Sequence, residues 1–433
     1  MKKVEHIKQY FRLQNHGTSV KQEVTSGVIA FLTAVYIVAV NSAILADAGL
    51  PLEGAIMATI ITSFVGCLIM AFHANAPIIL MPAMGLNAMF TFTFVHGAGM
   101  HWQEALAVVF IAGFLFTVVS FTKLADLLNR AIPDVMKHAV TAGIGFFLAF
   151  IGLEKGGLIE ANPDTFVQLS TLSEPLPFAS LLTFALAIWL YVRNVPGHFL
   201  WAIVCGVFIG NILGVGTAQE TVNLSFSGYG DVFWQMAFTN VWTVAFWTSV
   251  FAMTMVLTFE NIGLISGYVT DLKRHEKMKR ALQASAASAM SSGLFGTSPT
   301  IATAETAAGI SAGGRTGLSS LTTGVLFALT IFALPLVSQI PDSAIAPVLL
   351  IVGGMMVRSL GNISFESILS WFPAYLTVAL IPLTHSIADG IAFGFVAYPL
   401  LHIFAGKKKE VAAAMYMIGF LFLIHLLLTA FGF

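Results

Sequence analysis

The sequence predicts an all-α polytopic membrane protein with fourteen transmembrane segments, and three observations carry that prediction. Of 433 residues, 57% are hydrophobic and 9% charged, with a mean hydropathy of +0.87. A soluble chain of this size carries about 25% charged residues. Apolar runs of about 20 residues recur along the chain, matching the ~30 Å hydrocarbon core of a bilayer. The runs are continuous rather than alternating, which excludes a transmembrane β-barrel. The third observation is where the basic residues fall.

In order, the segments are 24–46, 54–73, 84–96, 103–122, 138–154, 178–192, 197–214, 242–268, 281–295, 304–314, 316–337, 343–358, 367–383 and 386–404. With the N-terminus inside, the cytoplasmic stretches are 1–23, 123–137, Arg193, Lys273–Arg280, Arg315, Arg358 and Lys407–Lys409. They hold all but one of the 20 lysines and arginines, the exception being Lys155. The positive-inside rule is thus satisfied. Residues 1–23 are polar and basic and the run after them is too long for an h-region, so no cleavable signal peptide is expected. In the C-terminal segment 405–433, residues 411–431 form one more apolar stretch. It reads equally as a fifteenth crossing, a re-entrant hairpin or an interfacial helix.

The fourteen segments divide at an extracellular loop, 215–241, into seven and seven. An odd number per half inverts the second half relative to the first, a construction that places substrate near the midplane between interrupted helices. The third segment opens with Pro77–Ala88 and the tenth with Pro299–Gly309. Each has a proline, a few extended residues, then a Gly/Ala-rich helix of about ten residues, too short to cross alone. A half-strand leading into a half-helix presents backbone N–H groups at membrane depth, where lipid offers them no partner. A fainter match aligns Val40-Asn41-Ser42 with Glu260-Asn261-Ile262. The ninth segment begins with Ala281–Gly293, which is Gly, Ala or Ser except at Leu282, Gln283 and Met290. Neighbouring backbones can approach such a helix closely, so it is expected to buttress the eighth and tenth segments.

Two lone carboxylates mark the functional region. Glu260 is the only ionisable acid or base between Val241 and Tyr268, and Glu305 the only one between Ala281 and Gly314. A carboxylate at membrane depth costs about 2.5–3.5 kcal/mol on insertion scales. Each therefore marks a polar cavity, a proton site or a substrate site, as in a transporter. Asp47, Glu53, Glu104 and Glu154 lie at segment ends, where water reaches them. Asp389 reads as a helix-start residue, and Arg315 as an end charge or a cap on the tenth segment. Cys67 and Cys205 lie in apolar helices and read as packing. The histidines are scattered with no ligand spacing, so no metal and no cofactor is assigned.

Met84-Gly-Leu-Asn-Ala88, Phe259-Glu-Asn-Ile-Gly263, Gly296–Glu305 and Ala307–Gly317 together resemble one family. The likeness extends to Phe31–Ile37 with Val40-Asn41 and to Ala346–Gly354, and so covers essentially the whole chain. It is the AzgA-like branch of the nucleobase:cation symporter-2 transporters, the adenine/guanine/hypoxanthine permeases. The resemblance implies two inverted seven-helix repeats forming a core domain (24–122 and 242–337) and a gate domain (138–214 and 343–404). It implies proton-coupled elevator movement of the core against the gate. It places the family's base-binding and coupling roles on Glu260, Glu305 and Asn87, with Asn41, Gly85, Phe259, Asn261, Thr303 and Ala304 as secondary contacts. Phe259 and Phe90 are candidate ring-stacking partners.

The chain departs from the family pattern in three places. Glu260-Asn-Ile-Gly-Leu264 stands where Asp-Thr-x-Gly-Thr is usual. Met81-Pro-Ala-Met84 replaces Ala-Pro-Gly-Met, and Thr303-Ala304 stands where an aromatic commonly precedes the glutamate. These changes reshape the pocket and bear on which purine is preferred.

The expected partners are a purine base, protons and the lipid bilayer of the plasma (inner) membrane. No nucleic acid is expected, and a homodimer through the gate domains is left open. Uracil or xanthine transport is the alternative within the superfamily, although Leu264 occupies that branch's histidine position. Outside the class, a channel would normally build rings of charge from symmetric subunits. A membrane enzyme would need a metal cluster or nucleophile–base pair, and an ATP-driven pump a phosphate-binding loop; the sequence has none.

Overall fold

In the computed structural model the described residues are 2–215 and 227–430. Residues 216–226 of the expected loop 215–241, and the last three of the C-terminal segment, lie outside them. Among the described residues ten helices are long and apolar enough to cross a membrane. Two shorter apolar helices, His198–Ile212 and Ile368–Leu383, accompany them.

The first of the ten, Val20–Asp47, is interrupted at Val35-Tyr36 into two α-helical parts, Val20–Ala34 and Ile37–Asp47. No proline or glycine marks the interruption at Val35-Tyr36. Just before it, the Thr33 hydroxyl donates back to the Ile29 and Ala30 carbonyls, a pattern that bends helices. The third segment begins as a strand, Leu80–Pro82, and the tenth as Thr300–Ala302. The two pair antiparallel, Leu80 opposite Ala302 and Pro82 opposite Thr300. This pairing satisfies backbone groups that neither half could satisfy alone.

The helices after these strands differ. Met84–Ala88 runs on as a π-helical stretch, Met89–Gly97. The tenth segment's helix is only Thr306–Ser311, six residues, shorter than the sequence suggests. Gly313, at φ +97°, ends it, and Arg315 Nη1 donates to the Ile310 and Gly314 carbonyls at 3.2 and 3.0 Å. Arg315 is therefore a cap.

The fourth helix, Trp102–Phe121, packs along the ninth, Met278–Phe295, through small residues. A Cβ at Gly293 would lie 2.7 Å from the Leu106 carbonyl oxygen, so only glycine permits this approach. The first and second segments pack on the eleventh (Gly317–Leu329). The fifth (Asp134–Lys155) packs on the twelfth (Asp342–Val357) and on Ile368–Leu383.

The basic face is closed by the N-terminal segment. Phe11 and Leu13 are buried against Ala71 and Leu318. Asn75 accepts from the Gly317 amide at 2.7 Å and donates to the Phe11 carbonyl at 3.1 Å. Its own carbonyl accepts from Lys277. Glu104 is 3% exposed and takes hydrogen bonds from Thr239, Asn240 and its own helix start, a structural role.

The apolar stretch at the C-terminus is one continuous helix, Ala413–Ala430, which excludes the re-entrant hairpin. It runs antiparallel to Ile387–Phe404: Tyr416 donates to the Lys408 carbonyl, and His425 Nε2 lies 2.9 Å from Asp389 Oδ1. Phe422 inserts between Phe395 and Phe251. At 18 residues it is long and apolar enough to cross the bilayer. Asp389 also starts its helix, its amide bonded to Ser386 Oγ at 3.2 Å. A short exposed hairpin, Ile159–Asn162 with Phe166–Leu169, and a helix at Leu124–Ala131 are additions that the apolar pattern did not reveal.

Candidate functional site between the eighth helix and the paired strands

The eighth segment is an unbroken helix, Val244–Asp271, and Glu260 lies in its interior. Glu260 Oε2 is buried without a hydrogen-bond partner. Opposite stands Gly85, at the start of the third segment's helix. A Cβ there would lie 3.7 Å from Glu260 Oε1 and 2.9 Å from Ile144 of the fifth helix. Glycine thus leaves room for the carboxylate beneath a side chain of the fifth helix.

Glu305 stands immediately before the Thr306–Ser311 helix and is partly exposed. Its Oε1 accepts a 2.5 Å hydrogen bond from the hydroxyl of Tyr36, which sits at the interruption of the first segment and is 2% exposed. Tyr36 in turn packs edge-on against Phe199 of His198–Ile212, ring centroids 4.9 Å apart. Among the described residues no hydrogen bond joins the two carboxylates. Tyr36 lies within the family string Phe31–Ile37 without a role of its own there; an aromatic hydroxyl inside an apolar span is the signal that marks it.

Asn87 is fully buried. Its amide nitrogen donates to Asn41 Oδ1 at 3.0 Å, so it braces Asn41 rather than Glu260, and its Oδ1 has no partner. Thr303 Oγ1 is likewise buried and unpartnered, while the Thr303 carbonyl accepts from Tyr268 at 2.7 Å. Ala304, beside it, is exposed. Buried polar groups normally find partners. Glu260, Asn87 and Thr303 each keep one buried polar atom without a partner.

The remaining secondary candidates hold the site up. Asn41 donates to Thr59 and Thr297 and accepts from Asn87 and Ser298. Asn261 donates to the Leu257 carbonyl and accepts from Ser285 and the Ala302 amide. Of the two asparagines aligned by the faint repeat, Asn261 thus bonds the second strand itself and Asn41 the residues just before it. Phe259 is 8% exposed and stacks on Phe395, and Phe90 is fully buried. Ser288 and Ser292 of the ninth helix both bond Thr300, so that helix does buttress its neighbours.

Burial along the Glu260 helix is one-sided. One and two turns further along its face, Gly263 and Gly267 are exposed, with nothing within 4 Å of where a Cβ would stand. In the other direction Leu257, Val256 and Met253 are closed over. Beyond them lies a separate cavity of about 890 Å³ at the face opposite the basic ends, lined in part by Asp47, Phe92, His96, Lys155, Ser249 and His385. Ser249 is eleven residues from Glu260, about 16 Å along a helix. The floor between is aromatic: Phe92 meets Phe147 edge-on at 5.8 Å.

A family model described as a permease family matches residues 21–388. The nucleobase transporter PlAzg2 of Paenibacillus larvae is 43% identical over 383 residues, 88% of this chain and 77% of its own. The guanine/hypoxanthine permease PbuO of Bacillus subtilis is 37% identical over 96% of this chain and 99% of its own. The adenine permease AdeP of Escherichia coli is 31% identical over 97% and 96%. Among solved structures, the transmembrane domain of the bicarbonate transporter BicA of a cyanobacterium matches with a TM-score of 0.67 at 18% identity, over 84% of this chain and 96% of that one. Murine Slc26a9, an anion transporter in the inward-facing state, matches at 0.62 and 12% identity, over 89% and 68%; both likenesses show the fold alone. The chain is a membrane transporter and not an enzyme, and it belongs to the permease family, in the AzgA-like branch of the nucleobase:cation symporter-2 group.

Proposed function

We propose that this chain carries purine nucleobases into the cell by proton-coupled secondary transport. The observation that carries the reading is the set of unpartnered buried atoms, Glu260 Oε2, Asn87 Oδ1 and Thr303 Oγ1, on the eighth helix and the two strand-led segments, the second of which also carries the partly exposed Glu305. A purine offers ring-nitrogen acceptors, N–H donors and exocyclic groups. A carboxylate accepts from ring N–H and amine, a protonated carboxyl donates to a ring nitrogen, and the amide and hydroxyl supply further complements. The relatives named for guanine, hypoxanthine and adenine point to the same substrate class.

The N-terminus faces the cytoplasm of a plasma (inner) membrane, in keeping with the basic residues gathered at one face. Residues 24–122 with 242–337 form the moving core and 138–214 with 343–404 the gate, as two inverted seven-segment repeats. One-sided burial along the Glu260 helix, exposed toward the basic face, is then the inward-open half of an elevator cycle. Glu305 serves base binding, and Glu260 serves both binding and proton coupling.

The test is uptake of radiolabelled adenine, guanine, hypoxanthine, xanthine and uracil by cells lacking their own base permeases, with and without a protonophore. Protonophore-sensitive uptake of one or two purines is expected. No base taken up above the empty-vector control, with the protein present in the membrane, would overturn the assignment.

A further inference from the structure

Lys155 is the single lysine or arginine away from the basic face, and its surroundings give it a use. It ends the fifth helix at the rim of the outer cavity, with its side chain 13% exposed. Its Nζ lies 2.8 Å from Asp47 Oδ2 and 3.0 Å from Asp47 Oδ1, and also 3.6 Å from Asp342 Oδ1. Asp47 is the last residue of Ile37–Asp47, and Asp342 the first of the twelfth helix.

The two acids differ in what holds them. Asp342 sits at a helix N-terminus, where the macrodipole favours a carboxylate, on a helix packed along Lys155's own helix. Asp47 sits at a helix C-terminus, where the dipole disfavours it, and its compensation comes from Lys155 across the seam between the two bodies. The same rim carries one more contact across that seam and one beside it. Thr93 Oγ1 accepts from the Ile387 amide at 3.1 Å, and His96 bonds the Asp47 carbonyl at 2.9 Å within the first body.

We infer that Lys155 is an exchangeable latch, shared between Asp47 and Asp342 in the state seen here and left with Asp342 alone when the core moves. The inference rests on the carrier reading above. Asp47 belongs to the body that moves, so its bond to Lys155 must break in the opposite state. Asp342 belongs to the body that stays, so it keeps the ammonium paired after release. The second acid thereby lowers the cost of opening, because a part-buried lysine stripped of every partner would be strongly disfavoured. Removing Asp47 and removing Asp342 should consequently act in opposite directions.

The measurement is the labelling rate of a single cysteine, Val256→Cys, in full-length protein in intact cells, in a Cys67→Ala/Cys205→Ser background that removes both native cysteines, with a membrane-impermeant maleimide added outside. Val256 lies between the outer cavity and Glu260 and is closed over in this state. Asp47→Asn and Lys155→Gln are expected to raise the rate roughly threefold, the scale of one part-exposed ion pair. Asp342→Asn is expected to lower it by a similar factor. Rates at the parent value in Asp47→Asn and Lys155→Gln would overturn the latch. So would a rise in Asp342→Asn matching the others, which would mean that any change merely loosens this end. Adding adenine, guanine and hypoxanthine to the parent reports on the carrier reading separately. A purine-dependent rate with no response to the charge variants removes the latch alone. With no purine response, the charge variants still decide the latch and the purine substrate falls.

Discussion

Glu260 and Glu305 look equivalent in the sequence, each the lone charge of an apolar stretch, yet the fold treats them oppositely. Glu305 is held: a buried tyrosine from the first segment donates to it at 2.5 Å, fixing one oxygen and leaving the rest toward accessible space. Glu260 is left unheld: Oε2 is buried without a donor, while Oε1 faces Gly85. A carboxylate with a fixed donor is positioned to accept from a ligand. A carboxylate without one is where a proton or a ligand group changes the local energy most.

Substitution of the acids themselves should separate them most sharply. Glu305→Gln is expected to lower purine uptake about 100-fold through loss of affinity, the scale of a charged hydrogen bond left unmatched in a buried site. Glu260→Gln should lose uptake by about as much and also make the remaining transport insensitive to a protonophore. Equal protonophore sensitivity in the two variants would erase the distinction. Next in size is Tyr36→Phe, which removes only the hydroxyl holding Glu305. About tenfold weaker purine binding is expected, with proton dependence unchanged; a shift in the pH profile of uptake would instead tie Tyr36 to coupling.

On the Glu260 side, Gly85→Ala forces a methyl against Ile144. Overpacking of this kind costs about 1–3 kcal/mol, so a several-fold fall in transport is expected, with partial recovery when Ile144→Ala, which removes the clashing Cγ2, is added. No recovery would mean that the glycine serves the backbone rather than the gap. The smallest effect belongs to Ser285→Ala, which takes one hydrogen bond from Asn261. It should lower thermal stability by about 1 kcal/mol and leave the ratio of purine affinities unchanged, as measured by melting and by competition uptake.

Much of this site is legible in the chain because its signals are local. A glutamate inside an apolar run, a proline followed by extended residues and a Gly/Ala stretch, and a helix of small residues each announce themselves within a short window. They point to Glu260, Glu305, the two half-strands and the buttressing ninth helix. What stayed hidden is tertiary pairing. Tyr36 meets Glu305 across 269 positions, and Lys155 meets Asp47 across 108; no periodicity encodes either. The interruption at Val35-Tyr36 carries no proline or glycine, and the shortening of the tenth segment's helix depends on Arg315 folding back as a cap. Asn41 and Asn261 read as polar residues beside a site. Only the hydrogen bonds around them show that their groups are already engaged.

The strand pair has a consequence for how the protein comes to exist. Leu80–Pro82 finds its partner at Thr300–Ala302, more than half the chain later. As the polypeptide leaves the ribosome, the third segment therefore enters the bilayer with backbone groups that nothing yet made can satisfy. It must wait, sheltered by insertion machinery or by its own neighbours, until the tenth arrives. The first half produced alone should be a quality-control substrate, cleared rather than accumulated. The two halves produced together from separate messages, cut within 215–241, should rescue each other.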